Sequence, residues 1–210
     1  MRMILRVVAN QFRRPTGVLG HLWGAAMNRG NARMIAGTVD ALDVQPKHQV
    51  LEIGFGGGAS IDLLLELTSE GHVVGTELSE ILLAQARRRF ADAIHQRRLD
   101  LVSAPVEMLP FENARFDRVC TINTIYFWSD PLRGMNEIHR VLRPGGRFVL
   151  GMRPAATLQR FPFTRYGFVL YEPTKAESLF ARAGFQKVRV ELNKDRSIEY
   201  ICIVAGKALP

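Results

Sequence analysis

Acidic residues are missing from the start of this 210-residue chain, whose first aspartate or glutamate is Asp40. Cysteine is scarce as well: Cys120 and Cys202 are the two in the chain, and they lie far apart in apolar runs. Neither belongs to a CxxC pair, and the five histidines do not cluster. A disulfide scaffold is therefore excluded and no metal site is predicted, so we expect two buried thiols in a reducing compartment.

Long hydrophobic runs are also lacking. No stretch of about 18 apolar residues occurs, which argues against a membrane-spanning helix. The N-terminus carries arginines but neither an uninterrupted apolar core nor a cleavage site, so we predict no secretory signal and a cytoplasmic protein. Apolar residues make up 47% of the chain and charged residues 23%, which is ordinary for a globular domain. The net charge of +8 suits an anionic partner without choosing among membrane, nucleic acid and metabolite.

Residues 1–14 place apolar side chains at helical spacing and arginines on another face. This pattern predicts a short amphipathic helix that ends at Pro15. Two interpretations stay open: the apolar stripe packs on the domain or on a second subunit of a homodimer, or the helix lies on an anionic membrane surface as a peripheral anchor. Further helices are predicted over 17–27 and 31–42, so that residues 1–46 form an N-terminal helical cap.

A glycine-rich turn organises the rest of the chain. The apolar run that begins at Val50 predicts a buried strand, and it gives way to Gly54, Gly56 and Gly58 before a predicted helix. Strand, glycine turn and helix form the geometry that binds an adenosine-bearing cofactor, because glycines allow a tight turn and a close approach of the backbone. Glu77 ends the next strand about 20 residues further on, where a carboxylate meets ribose hydroxyls.

Glu52 separates two classes of cofactor. It lies inside the first strand, two residues before Gly54. A carboxylate so close to the turn would repel the pyrophosphate of a dinucleotide, whereas it would attract a ligand with an ammonium and a sulfonium. A nicotinamide-dependent oxidoreductase is therefore the distant alternative, although the glycine spacing also fits the dinucleotide fingerprint.

Three later stretches complete a pattern with Glu52-x-Gly54-x-Gly56: Leu109-Pro110-Phe111, then Phe116-Asp117-Arg118-Val119, then Val141 through Phe148. Across about residues 48–152 the chain thereby resembles the class I S-adenosylmethionine-dependent methyltransferases, including the ubiquinone/menaquinone and phospholipid methyltransferases. The resemblance implies S-adenosyl-L-methionine as cofactor and a methyltransferase domain over residues 47–210. It also implies an α/β, Rossmann-like three-layer sandwich whose mostly parallel seven-stranded sheet ends in an antiparallel C-terminal hairpin.

The element pattern agrees with that fold, since predicted strands and helices alternate from residue 48 onward. The last two strands are separated by only five residues, too few for a parallel crossover, so they are predicted to be antiparallel. Residues 153–172 form a long aromatic-rich connection that we interpret as a lid or binding loop. The predicted strands are near 48–53, 72–77, 98–103, 116–122, 145–152, 187–192 and 198–204, and the predicted helices are near 58–69, 79–95, 130–142 and 174–183.

The resemblance also implies the cofactor-binding residues. Glu52 and the backbone at Gly54, Gly56 and Gly58 would surround the methionine portion, Glu77 would bind the ribose, and Leu78 would pack on adenine. Where the family often has Asp-Ala, this chain has Pro105-Val106, so the amide of Val106 would donate to adenine and the acidic contact would be lost or move to Glu107. Asn123, at the carboxyl end of the fourth strand, completes the set. The residues after Asn123 are not the prolines of the Asn-Pro-Pro-Tyr signature of amino-directed nucleic-acid methyltransferases. Nucleic acid is therefore not expected as a partner.

Methyl transfer from a sulfonium depends on alignment and exclusion of water more than on acid–base groups, and the sequence displays no catalytic triad. Tyr126 and, as a candidate base, His21 are predicted to be catalytic. The acceptor is predicted to be a small molecule, with the amino headgroup of a phosphatidylethanolamine-type phospholipid as the alternative. The predicted substrate pocket consists of Trp23, Met27, Tyr126, Trp128 and Tyr166.

Overall fold

The computed structural model describes residues 2–13, 15, 28–195 and 198–209, and the helix predicted over 17–27 lies outside these ranges. Every predicted strand is present within three residues of its expected bounds. The strands are β1 (Gln49–Ile53), β2 (His72–Thr76), β3 (Leu99–Val102), β4 (Phe116–Ile122), β5 (Leu142–Met152), β6 (Gln186–Asp195) and β7 (Ile198–Gly206). The helices are α1 (Arg2–Arg13), α2 (Ala32–Leu42), α3 (Ala59–Leu67), α4 (Glu80–Arg89), α5 (Ala91–His95), α6 (Pro131–Val141), α7 (Ala155–Leu158) and α8 (Pro173–Arg182), with single 3-10 turns at Ile125–Phe127 and Pro162–Arg165.

The seven strands form one sheet in the order β3-β2-β1-β4-β5-β7-β6. The first five strands in this order are parallel, with Val50 opposite Val73 on one side and opposite Arg118 on the other. β7 enters antiparallel between β5 and β6, which places Val204 opposite Val149. The predicted fold class, including its antiparallel hairpin, is confirmed.

Helices cover both faces of the sheet, because successive strand residues point to opposite sides. One face buries Leu51 and Ile53 with side chains of α6 and α8, among them Ile138 and Phe180. The other face buries the alternate residue, Val50, with side chains of α2, α3 and α4, and both cysteines lie in this layer. The result is the predicted three-layer sandwich, with helix α2 of the predicted N-terminal cap built into one of its layers.

Local sequence explains where helices begin and end. Ser79 and Asp130 are N-caps whose side chains accept hydrogen bonds from Leu82 N and Arg133 N, at the starts of α4 and α6. The helix predicted over 79–95 is interrupted at Phe90, whose backbone leaves helical geometry (φ −104°, ψ 24°). The reason is packing, since this interruption lets the Phe90 ring enter the core, where it is 7% exposed.

Candidate active site

The carboxyl ends of the parallel strands surround a cavity of about 510 Å³. In open parallel sheets ligands bind at this edge, beside the point where the strand order reverses. Here that point lies between β1 and β4, which are neighbours in the sheet although two strands separate them in sequence. The turn after β1 lines the cavity, and so do residues of α1 and of the aromatic connection.

The turn after β1 depends on glycine. Gly54 has φ +72°, and a Cβ added there would lie 2.5 Å from Thr124 Cγ2. Backbone hydrogen bonds from Gly54 N and Phe55 N to Thr76 O, at 2.8 and 3.2 Å, fix the turn against β2. Gly58, with φ +77°, packs against the ring of Phe90 instead of lining the cavity. The backbone of this turn can therefore approach a ligand closely.

Glu52 provides a buried carboxylate at the floor of the cavity, where its residue is 1% exposed. One carboxylate oxygen accepts a hydrogen bond from the Ser60 hydroxyl, and Oε2 has no hydrogen-bond partner among the described residues. Burial raises the pKa of Glu52 to about 7, and the nearby Glu77 adds to this, against the opposing hydrogen bond from Ser60. A buried carboxylate of this kind favours a cationic ligand, which would restore its ionised form.

Glu77 lies at the end of β2 and faces the same cavity. Its Oε2 accepts from Gly56 N at 3.0 Å, and its Oε1 accepts from Leu78 N at 2.8 Å and Ser79 N at 3.0 Å. Backbone donors on both sides thus hold the carboxylate in one orientation. Leu78, which is 45% exposed, presents an apolar side chain beside it.

Two residues of the loop after β3 line the cavity next to Leu78. Val106 is 5% exposed and supplies an apolar surface. Glu107 accepts hydrogen bonds at Oε1 from Ser129 N at 2.7 Å and Ser129 Oγ at 2.9 Å. The Glu107 carboxylate therefore joins this loop to the start of α6.

A polar network crosses the middle of the cavity. Asn123, in the left-handed region with φ +58°, donates from Nδ2 to Asn31 Oδ1 at 3.3 Å, and Arg153 Nη2 donates to the same oxygen at 3.0 Å. The Tyr126 hydroxyl accepts from Arg153 N at 2.6 Å and lies 3.2 Å from Asn123 Oδ1. Burial raises the pKa of Tyr126 well above its ordinary value, so the phenol stays protonated at neutral pH.

Aromatic rings line a further part of the cavity, its aromatic end. Phe12 of α1 stacks on Phe163, with ring centroids 4.8 Å apart and planes 9° from parallel. Phe168 meets the edges of Phe12 and Phe127, at 5.9 and 4.6 Å. This end of the cavity therefore offers apolar ring faces, whereas the turn after β1 offers carboxylates and backbone amides.

Comparison with known proteins shows which proteins the chain is similar to. Residues 51–150 match the family model described as a methyltransferase domain. The chain is 25% identical over 185 residues to the uncharacterized methyltransferase YdaC of Bacillus subtilis, covering 88% of this chain and 97% of that protein. It is 31% identical over 163 residues to the demethylmenaquinone methyltransferase of Symbiobacterium thermophilum, covering 74% of this chain and 62% of that protein. Over residues 51–150 the chain is therefore similar to methyltransferases.

The fold agrees with the family. A chain in the complex between the Haloferax volcanii Trm112 methyltransferase activator and a methyltransferase superposes with a TM-score of 0.77, at 17% identity, covering 88% of this chain and 93% of that chain. The resemblance noted in the sequence is thereby confirmed. The relatives named here give no support to the phospholipid and oxidoreductase alternatives.

The fold brings most of the predicted site residues to the cavity. Those that line it are Glu52, Gly54, Gly56, Glu77, Leu78, Val106, Glu107, Asn123, Tyr126 and Trp128. Tyr166 is not among the lining residues, and its ring lies under Arg6, with the guanidinium carbon 5.5 Å from the centroid. His21, Trp23 and Met27 lie outside the described residues.

Several residues of the site were not predicted. Ser60 follows Gly58 by two residues, and its hydrogen bond to Glu52 becomes visible only when helix α3 is placed over β1. Arg153 directly follows the end of β5, so the rule that ligands bind at the carboxyl ends of parallel strands could have identified it. Phe12 gave no such signal, because its neighbours in the cavity lie about 150 residues away in sequence.

No helix in the described part of the chain is long and apolar enough to span a membrane. Within the same residues, no three His, Cys, Asp or Glu side chains converge as metal ligands would.

Proposed function

We propose that this methyltransferase binds S-adenosylmethionine at the turn after β1 and transfers its methyl group to a small apolar acceptor that carries a ring. The observation that carries the proposal is that one cavity is lined by two kinds of groups. Carboxylates and backbone amides line it around Glu52 and Glu77, and a cluster of aromatic rings lines another part of it. A donor that is cationic and an acceptor that is apolar would each meet complementary groups.

The donor end fits S-adenosylmethionine better than a dinucleotide. The buried Oε2 of Glu52 without a partner among the described residues suits a ligand ammonium, since burying an unpaired charge is costly. Glu77, oriented by its backbone donors, would accept hydrogen bonds from ribose hydroxyls. Leu78 and Val106 would contact the adenine ring. The Glu52 carboxylate beside the turn would repel a pyrophosphate.

When bound, S-adenosylmethionine supplies a methyl group already activated by the sulfonium. The protein then has to orient the acceptor and exclude water. Tyr126 links the loop after β4 to the loop after β5 through Asn123 and Arg153, so it would fix the shape of the cavity midway between donor and acceptor. Because its phenol stays protonated, Tyr126 would position groups and would not act as a base.

The acceptor end favours an apolar, ring-containing molecule. Phe12, Phe127, Phe163 and Phe168 would stack on or flank a planar ring. Arg153, 7% exposed, adds a buried positive charge at the cavity wall and would stabilise an acceptor that carries an ionisable oxygen. The name of the Symbiobacterium thermophilum relative, a demethylmenaquinone methyltransferase, is that of an enzyme acting on a quinone. An acceptor of that chemical class is therefore the first to test.

Calorimetric titration with S-adenosylhomocysteine and, separately, with reduced nicotinamide cofactor tests the donor assignment. We expect binding of the first in the micromolar range and none of the second, and the opposite result would overturn the proposal. Transfer of a tritiated methyl group should then be measured with apolar phenols and quinols and with polar amines. Transfer confined to polar amines would show that the aromatic end does not hold the acceptor.

A further inference from the structure

The outward side of helix α1 combines exposed apolar residues with arginines. Met3, Ile4 and Val7 are 78%, 66% and 46% exposed, and their spacing places them on one side of the helix. Arg2 and Arg6, also exposed and four residues apart, form a stripe beside them. Adjacent apolar and basic stripes are characteristic of helices that lie in the interface of a bilayer.

The predicted packing of the α1 apolar stripe on the domain is only partly realised. Leu5, Val8 and Phe12 are half-buried, as that interpretation requires, whereas Ile4 of the same stripe remains in water. Single exposed apolar side chains are common, whereas several that cluster on one surface often mark a contact site. The apolar residues on the inward side of α1 are therefore covered by the domain, whereas those on the outward side would be covered only by a partner.

The charge around α1 selects the kind of partner. The first 39 residues contain no acidic side chain, and neither does the aromatic connection from Arg153 to Tyr171, which packs against α1 through the turn Pro162–Arg165. Arg160 and Arg165 of that connection are exposed. This uniformly basic surface would attract anionic lipid headgroups while the apolar residues enter the acyl boundary.

Helix α1 also connects this surface to the cavity. Phe12, Arg13 and Pro15 line the cavity, and Pro15 O accepts a hydrogen bond from Ser79 Oγ at 2.7 Å, beside Glu77. The stacked pair Phe12 and Phe163 joins the helix to the aromatic end. Helix α1 therefore contributes residues both to the outward surface and to the wall of the cavity.

We infer that the outward side of α1, with the adjoining basic connection, docks the protein on an anionic membrane surface. The membrane would be a further partner of the protein, and the docking does not depend on the proposed methyl transfer.

Co-sedimentation of the full chain with vesicles tests the inference. The two vesicle types are phosphatidylcholine alone and phosphatidylcholine mixed with phosphatidylglycerol, each at low and at high salt. We expect binding to the anionic vesicles that weakens with salt, because the attraction between exposed charges is screened. Failure to bind anionic vesicles at low salt would overturn the inference.

Matched variants assign the binding to α1. Arg2→Gln with Arg6→Gln should weaken binding by on the order of 25-fold, and Ile4→Gln with Val7→Gln should weaken it by on the order of tenfold. The charge control is Arg87→Gln with Arg88→Gln, on the exposed side of α4, and the apolar control is Leu67→Gln with Leu192→Gln. All variants should retain wild-type affinity for S-adenosylhomocysteine, which shows that they are folded and that the donor site is intact.

Two outcomes would refute the assignment to α1. Equal losses in the α1 variants and in their controls would show non-specific adhesion of a basic protein. The other outcome is a dimer in sedimentation velocity that is lost in the Ile4→Gln, Val7→Gln variant, together with no binding to vesicles. That result would make a second copy of the chain the partner.

Discussion

Replacing Glu52 by Gln should stabilise the protein and impair its function at the same time. A folded-state pKa of about 7 against the ordinary 4.5 means that the folded protein resists ionisation of this carboxyl group. The difference corresponds to about 3 kcal/mol of free energy of unfolding. Wild-type stability should therefore fall as pH rises from about 4.5 to about 7, because the unfolded chain ionises first and the folded protein carries the cost above pH 7.

Glu52→Gln removes this cost and keeps the shape of the side chain and an acceptor for the Ser60 hydroxyl. Urea unfolding at pH 5 should give similar free energies for the two proteins, whereas at pH 8 the variant should be more stable by up to about 3 kcal/mol. Glu66→Gln is the matched control, because Glu66 is exposed on the same helix, α3, and its replacement should change stability little at either pH.

Binding should change in the opposite direction. A charge-assisted hydrogen bond contributes about 1.5–3 kcal/mol, so Glu52→Gln should weaken S-adenosylhomocysteine binding by roughly tenfold to 100-fold. At pH 6 the free wild-type carboxyl group is mostly protonated, and ligand binding should release close to one proton from it. Calorimetry in buffers of different ionisation enthalpy measures that proton, and the variant should not release it.

Two results would refute this reasoning. If Glu52→Gln leaves the pH dependence of stability unchanged, the carboxyl group does not carry the burial cost assigned to it. If the variant binds S-adenosylhomocysteine as tightly as the wild type, the ligand cation lies elsewhere.

Three further substitutions probe other parts of the site. Glu77→Ala should weaken S-adenosylhomocysteine binding by on the order of tenfold or more, since the ribose loses its acceptor. It should also lower the melting temperature, because three backbone N–H groups lose their acceptor. Unchanged affinity in calorimetry would place the ribose elsewhere. Tyr126→Phe leaves Arg153 N without its acceptor and should lower the free energy of unfolding in urea by roughly 1–3 kcal/mol. It should lower turnover more than ligand affinity. Wild-type turnover would show that Tyr126 has no role in the reaction. Gly54→Ala should lower the free energy of unfolding by roughly 1–3 kcal/mol, because φ is positive there and the new Cβ would contact Thr124 Cγ2. Adding Thr124→Ser removes Cγ2 and should recover part of that loss. No recovery would mean that the contact is relieved in another way.

Much of the donor site could be predicted because its residues lie beside recognisable local patterns. Glu52 and Glu77 are 25 positions apart, yet Glu52 is the last residue but one of β1 and Glu77 directly follows β2, and parallel strands bring their carboxyl ends together. The structure adds how the two carboxylates differ. Glu77 is held by three backbone amides, whereas Glu52 is buried with a single hydroxyl donor among the described residues, and only the packing of α3 over β1 determines that.

The acceptor end could be predicted only in part. Its aromatic residues stand out in the connection from 153 to 172, but the sequence does not say which of them face the cavity. Phe163 and Phe168 do, whereas Tyr166, which was predicted to line the pocket, lies beside Arg6. The connection has no repeating spacing of apolar residues from which to infer orientation.

The sequence by itself determined which strands and helices follow one another along the chain and where the glycine turn lies, since each depends on neighbours within about 20 residues. Motifs in a fixed order over residues 48–152 carried the resemblance to methyltransferases. Tertiary structure alone decided the pKa of Glu52, the network around Arg153 and the exposure of Ile4. These properties depend on which surfaces of distant segments meet, as when Phe12 stacks on Phe163. The free energy of burial and the desolvation of charge belong to the assembled interior, and no local stretch of the chain encodes them alone.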